Sequence, residues 1–146
     1  MKQRILISAC LLGVCCRYDG KSKPAVNVEK LMDRYELIPV CPEQLGGLAT
    51  PRPPAEIRQG RVVTKDGADV TAQYQKGAEQ ALFLAQTFGC RRAVLKTRSP
   101  SCGSGEIHNG LFDGGLTEGD GITAAFLKQA EITVFGEDQI EQLLSE

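Results

Sequence analysis

Cysteine is the residue type in this chain best equipped for chemistry, and six occur in 146 residues. Stable disulfides are rare in a reducing compartment. Such a count therefore points to metal ligands, catalytic thiols or core filler. Three of the six, Cys10, Cys41 and Cys102, each lie just after an apolar segment of strand character. Thiolates are soft ligands that suit zinc, copper(I) and iron–sulfur clusters. The chain has a single histidine, His108, so a mixed Cys/His zinc site has little to draw on. A four-iron cube held by three cysteines keeps one iron open as a Lewis acid, much as catalytic zinc keeps an open position. The bland alternative is that all three are buried apolar residues.

The elements that must position these residues are readable from periodicity. Residues 4–9 read as a short buried strand, followed by a loop from Leu11 to Pro24. Residues 26–35 carry Val26, Val28, Leu31 and Met32 at helical spacing. Glu36 to Val40 reads as a second strand that ends at Cys41-Pro42, since proline cannot donate to a sheet ladder. The segment from Gly46 to Pro54 is a rigid extended loop. Ile57 and Val62-Val63 flank Gln59-Gly60, the pattern of a small β-hairpin. Asp69-Val70-Thr71 opens a long helix that Gly89 terminates. Ala93-Val94-Leu95 is a third strand, and a glycine-rich loop runs from Lys96 to Gly121. Ile122 to Gln129 is helical, Ile132 to Phe135 a fourth strand, and Glu137 to Leu144 a last helix.

Strands alternating with helices argue for a single α/β domain over residues 1–146. The expected fold is a three-layer, Rossmann-like one, with a mostly parallel sheet of about four strands and a small β-hairpin insertion. In such sheets ligands bind beyond the carboxyl ends of the strands. Cys10 closes the first strand, Cys41 follows the second, and Cys102 lies in the loop after the third. If those strands are neighbours, the three thiols meet at one rim.

The other three cysteines read differently. Cys15 and Cys16 are adjacent, and a vicinal disulfide is strained. They are redox-active, alternative ligands, or loop residues near the site, and the last is preferred. Cys90 follows a helix end, away from the rim, and suits the core. The formal net charge of −1 provides no footprint for nucleic acid or an anionic membrane. No apolar run reaches the ~18 residues of a membrane span. The opening MKQRILISAC has the basic residues and apolar run of a leader, but that run is too short and a strand fits it better. A cytoplasmic protein is the expectation.

Several separated segments, taken together, are similar to one known family. They are Ser8-Ala9-Cys10-Leu11-Leu12-Gly13, Arg17-Tyr18-Asp19-Gly20, Cys41-Pro42-Glu43, Gly46-Gly47-Leu48 with Thr50-Pro51-Arg52, Asp69-Val70-Thr71, and Ser99-Pro100-Ser101-Cys102-Gly103. The chain resembles, from Ile5 to about Leu127, a family long catalogued as a domain of unknown function that includes the thiouracil desulfidases. The resemblance implies a [4Fe-4S] cluster held by Cys10, Cys41 and Cys102. It further implies that the fourth iron carries sulfur taken from a thiolated pyrimidine such as 2-thiouracil. An acid and a hydroxyl near the substrate match Glu43 and Ser101. Cys15 and Cys16 lie where many relatives carry other residues, and His108 stands where relatives often show an aromatic one.

The expected reaction is hydrolytic, with no change in the redox state of the substrate. Water attacks the thiocarbonyl carbon, Glu43 accepts its proton, and Ser101 hydrogen-bonds the ring or donates a proton. Both also have ordinary readings, Glu43 as a surface acid or cap partner and Ser101 as a turn residue. Arg52 is expected to meet a polar substrate atom or to pair with a core acid. Asp19, Asp69 and Thr71 are expected to line or brace the pocket, although a helix-start role weighs more for Asp69 and Thr71. Two other readings stand beside this one: a cluster carrier without catalysis, and a thiol redox protein using Cys15 and Cys16.

Overall fold

The computed structural model describes residues 1–146. Eight strands and five α-helices follow one another as β1 (Gln3–Ser8), α1 (Val28–Arg34), β2 (Tyr35–Val40), α2 (Pro42–Leu45), β3 (Ala55–Arg58), β4 (Arg61–Thr64), α3 (Thr71–Thr87), β5 (Arg92–Leu95), β6 (Glu106–His108), β7 (Leu116–Glu118), α4 (Ile122–Gln129), β8 (Thr133–Gly136) and α5 (Ile140–Leu144). The central sheet runs β2-β1-β5-β8, and every pairing in it is parallel. This is the expected α/β architecture.

Side chains alternate across a strand, so each central strand feeds two cores. Ile5 and Ile7 of β1 join Val94, Phe135, Leu31, Ile140 and Leu143 on one face, under α1 and α5. Leu6 joins Ala93, Leu95, Ala81, Ala85 and Leu127 on the other, under α3 and α4. Leu6 and Ile7 are both 0% exposed. Burying such a side chain stabilises by about 1.5–3 kcal/mol. The strand that leads to Cys10 is therefore held from above and below.

Helix α3 buries a stripe of small residues, Gly77, Ala78, Ala81 and Ala85. The small stripe lets α2 come close. A Cβ at Gly46 would lie 1.9 Å from the Gln73 carbonyl oxygen, and one at Gly77 would lie 1.9 Å from the Pro42 carbonyl oxygen. The chain around Cys41 and Glu43 is thereby seated directly on α3.

The expected hairpin forms as β3–β4 and turns through Gln59 and Gly60, both with positive φ. Other boundaries shift. The first strand ends at Ser8, and Ala9–Leu12 form a 3-10 turn closed by Gly13 at φ 104°. Tyr35, expected in the first helix, instead opens β2 and is buried. The last helix begins only at Ile140, after a 3-10 turn over Glu137–Gln139. The glycine-rich loop holds a second hairpin, β6–β7, that periodicity did not show. Strands of three residues have no period to read, and tertiary pairing creates them.

Candidate functional site

The three expected ligand cysteines follow three adjacent strands, β1, β2 and β5. Each is fixed by local structure. Cys10 lies in the 3-10 turn after β1, and its carbonyl accepts the Gly13 and Lys23 amides. Cys41 precedes α2, with Pro42 at the first helical position, where a missing N–H costs nothing. Cys102 sits in a turn whose Ser99 hydroxyl accepts the Cys102 amide at 2.7 Å. That turn is docked on α4, since the Ser101 carbonyl accepts the Thr123 and Ala124 amides. Gly121 makes the docking possible, because a Cβ there would lie 2.5 Å from the Ser101 carbonyl carbon.

Ser8 ties the strand ends together. Its hydroxyl accepts the Lys96 amide at 2.9 Å and donates to Cys102 Sγ at 3.4 Å. All three thiols line a single cavity of about 480 Å³. Cys10 and Cys102 are buried, Cys41 is half-buried, and none is in a disulfide. Burial pushes the Cys10 thiol up to about 11, against the pull of Lys96. Burial pushes Cys102 up to about 12, although the Ser8 and Ser101 hydroxyls lower it. Ligation through Cys10 and Cys102 therefore requires their protons to leave.

The donor set fits an iron–sulfur cluster. No group of three or more His, Cys, Asp or Glu is disposed to hold a single metal ion. Three thiols that share one cavity are the soft donors that an iron–sulfur cluster takes. Lys96 and Arg17, whose charges reach Cys10, would offset the negative charge of such a centre. Lys96 is itself held by Glu137 at 3.0 Å.

Beside the thiols lies a compact polar array. Glu43 accepts from Arg52 Nε through Oε1 and from the Ser101 hydroxyl through Oε2, both at 2.9 Å. The Arg52–Glu43 pair is nearly enclosed, with side chains 6% and 14% exposed. Arg52 spends its other donors on the Ala49 and Cys16 carbonyls and on Thr50 Oγ1. In the structure its acid partner is Glu43. Tyr74, on α3, lies against Glu43, and burial and that carboxylate both push its phenol well above the usual range.

The cavity wall includes Cys10, Cys41, Cys102, Glu43, Ser101 and Arg52, and does not include Asp19, Asp69 or Thr71. These last three make local bonds outside the wall, and Asp69 and Thr71 stand at the start of α3, the role that weighed more for them. Asp19 accepts the Lys21 amide and faces Arg17. Asp69 accepts the Thr71 amide at 2.9 Å and pairs with Arg61. Thr71 is buried and its hydroxyl accepts the Val62 amide at 2.8 Å, which pins β4 to the start of α3.

The wall also carries Cys16, Tyr74, Glu56 and His108, none of which was expected to act in the site. Cys16 is buried and hydrogen-bonded to Cys41, and burial and that neighbour push it up to about 12. Cys15, by contrast, is exposed. Tyr74 shares the helical face of Ala78, Ala81 and Ala85, which was its one available signal. Glu56 and His108 stand on the two hairpins; nothing in the local sequence marks Glu56, whereas His108 was marked by the departure from the aromatic residue of relatives.

Known proteins resemble this chain over nearly its whole length. A protein of Bacillus subtilis (strain 168), the uncharacterized YbbK, is 43% identical over 150 residues, covering 96% of this chain and 99% of its own length. The solved structure of the [4Fe-4S]-dependent thiouracil desulfidase TudS superposes with a TM-score of 0.91 at 49% identity, covering 98% of this chain and 96% of that one. A family described as 2-thiouracil desulfurase matches residues 5–139. With nearly its whole length accounted for, the chain belongs to the 2-thiouracil desulfurase family.

Proposed function

We propose that this protein is a [4Fe-4S]-dependent desulfidase that hydrolyses thiolated pyrimidines such as 2-thiouracil to uracil and sulfide. The observation that carries this reading is the meeting of three free thiols with the Glu43–Ser101–Arg52 array in one cavity. Likeness to a desulfidase at 49% identity over 98% of the chain supports it. Cys10, Cys41 and Cys102 would hold the cluster. When bound through three thiolates, it supplies an iron free of protein ligands, a Lewis acid toward the thiocarbonyl sulfur.

The chain's own residues do the rest. Water attacks the C=S carbon, and its oxygen becomes the new carbonyl while sulfur departs as sulfide. Two hydrogens of water end on sulfide or solvent, and no electrons are gained or lost. Glu43 accepts the water proton. Arg52 holds its carboxylate in place with an ion pair that water scarcely reaches. Ser101 directs its proton to Glu43, which leaves its oxygen lone pairs to accept from a ring N–H. The site takes a small thiolated nucleobase.

No helix is long and apolar enough to cross a membrane, and six free cysteines suit the reducing cytoplasm. The test is reconstitution without oxygen. A brown protein with about four iron and four sulfide per chain, releasing sulfide from 2-thiouracil, is the expected result. A full cluster with no turnover of any thiouracil would leave a cluster carrier instead.

A further inference from the structure

His108 is the only histidine in the chain, and it lines the cavity that holds the thiols and Glu43. Its place is fixed. Ile107 is buried, and its side chain packs so closely on Gly103 that a Cβ there would lie 2.9 Å from it. Alternation along β6 turns His108 to the opposite side. The His108 amide donates to the Arg98 carbonyl at 3.3 Å, and His108 pairs with Leu116 of β7. Within this fixed position Nδ1 is enclosed and has no hydrogen-bond partner.

That orphan nitrogen determines what the ring presents. A neutral imidazole carries one proton, on either nitrogen. An enclosed N–H without an acceptor is a costlier orphan than an enclosed lone pair. The proton therefore belongs on Nε2, the ring nitrogen that is not enclosed, on a residue that lines the cavity. We infer that His108 donates a hydrogen bond from Nε2 to a carbonyl oxygen of the bound pyrimidine, and so selects 4-oxo over 4-amino thiopyrimidines. An amino group at that position would set donor against donor. A site built to pair a polar group rejects ligands that leave it unpaired.

The inference rests on the desulfidase reading, and one experiment separates the two. Cluster-loaded wild-type protein, His108→Phe and His108→Gln are compared on 2-thiouracil and 2-thiocytosine, with iron and sulfide content measured for each. The wild type is expected to favour 2-thiouracil in kcat/KM. His108→Phe is expected to shrink that preference by about threefold to tenfold, and His108→Gln, which keeps a donor, to restore part of it. An unchanged preference in His108→Phe overturns the inference. The single imidazole also provides one clean ring signal by proton NMR. Titration of the loaded protein with uracil is expected to shift it saturably, and a signal unmoved up to millimolar uracil overturns the inference as well. If neither substrate yields sulfide from a full cluster, the desulfidase reading fails, and the uracil titration still decides the role of His108.

Discussion

The cavity has two walls built by different means. The thiol wall hangs from the ends of three parallel strands whose side chains are buried on both faces. The other wall, with Glu56 and His108, belongs to the two small hairpins. Side-chain bonds join the two hairpins to each other. Glu56 accepts the Gly110 amide at 2.8 Å and the Phe112 amide at 3.3 Å, and Arg58 donates twice to the Gly110 carbonyl. The strand ends thus inherit the rigidity of the core, whereas the contact between the two hairpins depends on individual side chains. The first arrangement suits a cofactor that must not shift, and the second suits recognition of substrates.

Each wall can be broken separately. The largest effect is expected from the thiol wall. Replacing Cys10, Cys41 or Cys102 with Ala should abolish the cluster and all sulfide release, whereas Cys15→Ala and Cys16→Ala should keep the iron, as read by metal analysis and absorbance. A cluster that survives Cys102→Ala would mean that this wall is packing and nothing more. Next comes the acid beside it. Glu43→Gln should leave iron content intact while kcat falls roughly 10²- to 10⁴-fold, the usual contribution of a positioned base.

Smaller effects belong to the hairpin side. Glu56→Ala strips two loop amides of their acceptor, one of them buried, and should cost about 1–3 kcal/mol in denaturant unfolding. KM should rise while the iron stays, and loss of iron would erase the distinction between the walls. The smallest effect is expected at Asp69. Hydrogen bonds from Thr71 and then Arg61 hold its carboxyl down at about 2, against an ordinary 3.8. A depressed carboxyl contributes stability above the ordinary value, and that contribution fades as pH falls through the folded one. Asp69→Asn should therefore be slightly less stable than wild type at neutral pH and equal to it below about pH 2, as followed by circular dichroism of the cluster-free chain.

The unequal construction also explains what could be read from the sequence. The four core strands were legible because each is a compact apolar run, and strand ends were enough to bring Cys10, Cys41 and Cys102 together. The β3–β4 hairpin was legible from Gln59-Gly60, both of which adopt the left-handed backbone that such a turn requires. The hairpin wall was not. Glu56 meets Gly110 across 54 residues of chain, and no local pattern records a partner that far away. The same holds for Tyr74 against Glu43, which arises only when α3 seats α2. Asp69 and Thr71 could be read as helix-start residues, and the structure uses them there. Arg52 admitted two partners on paper, and Glu43 with the nearby carbonyls accounts for its donors.

The close seat of α2 on α3 bears on how this protein can be altered. Gly77 lies within a helix, where glycine costs up to about 1 kcal/mol relative to alanine. A stability engineer would replace it first. Yet one added methyl at Gly77, or at Gly46, would collide with backbone rather than with a side chain that can yield. Relief would require α2 to lift, and the chain segment that carries Cys41 and Glu43 would lift with it. Two positions with no reactive group are thus closed to the commonest stabilising substitution. Searches for hardier variants should spend their diversity on the exposed faces of α1 and α5.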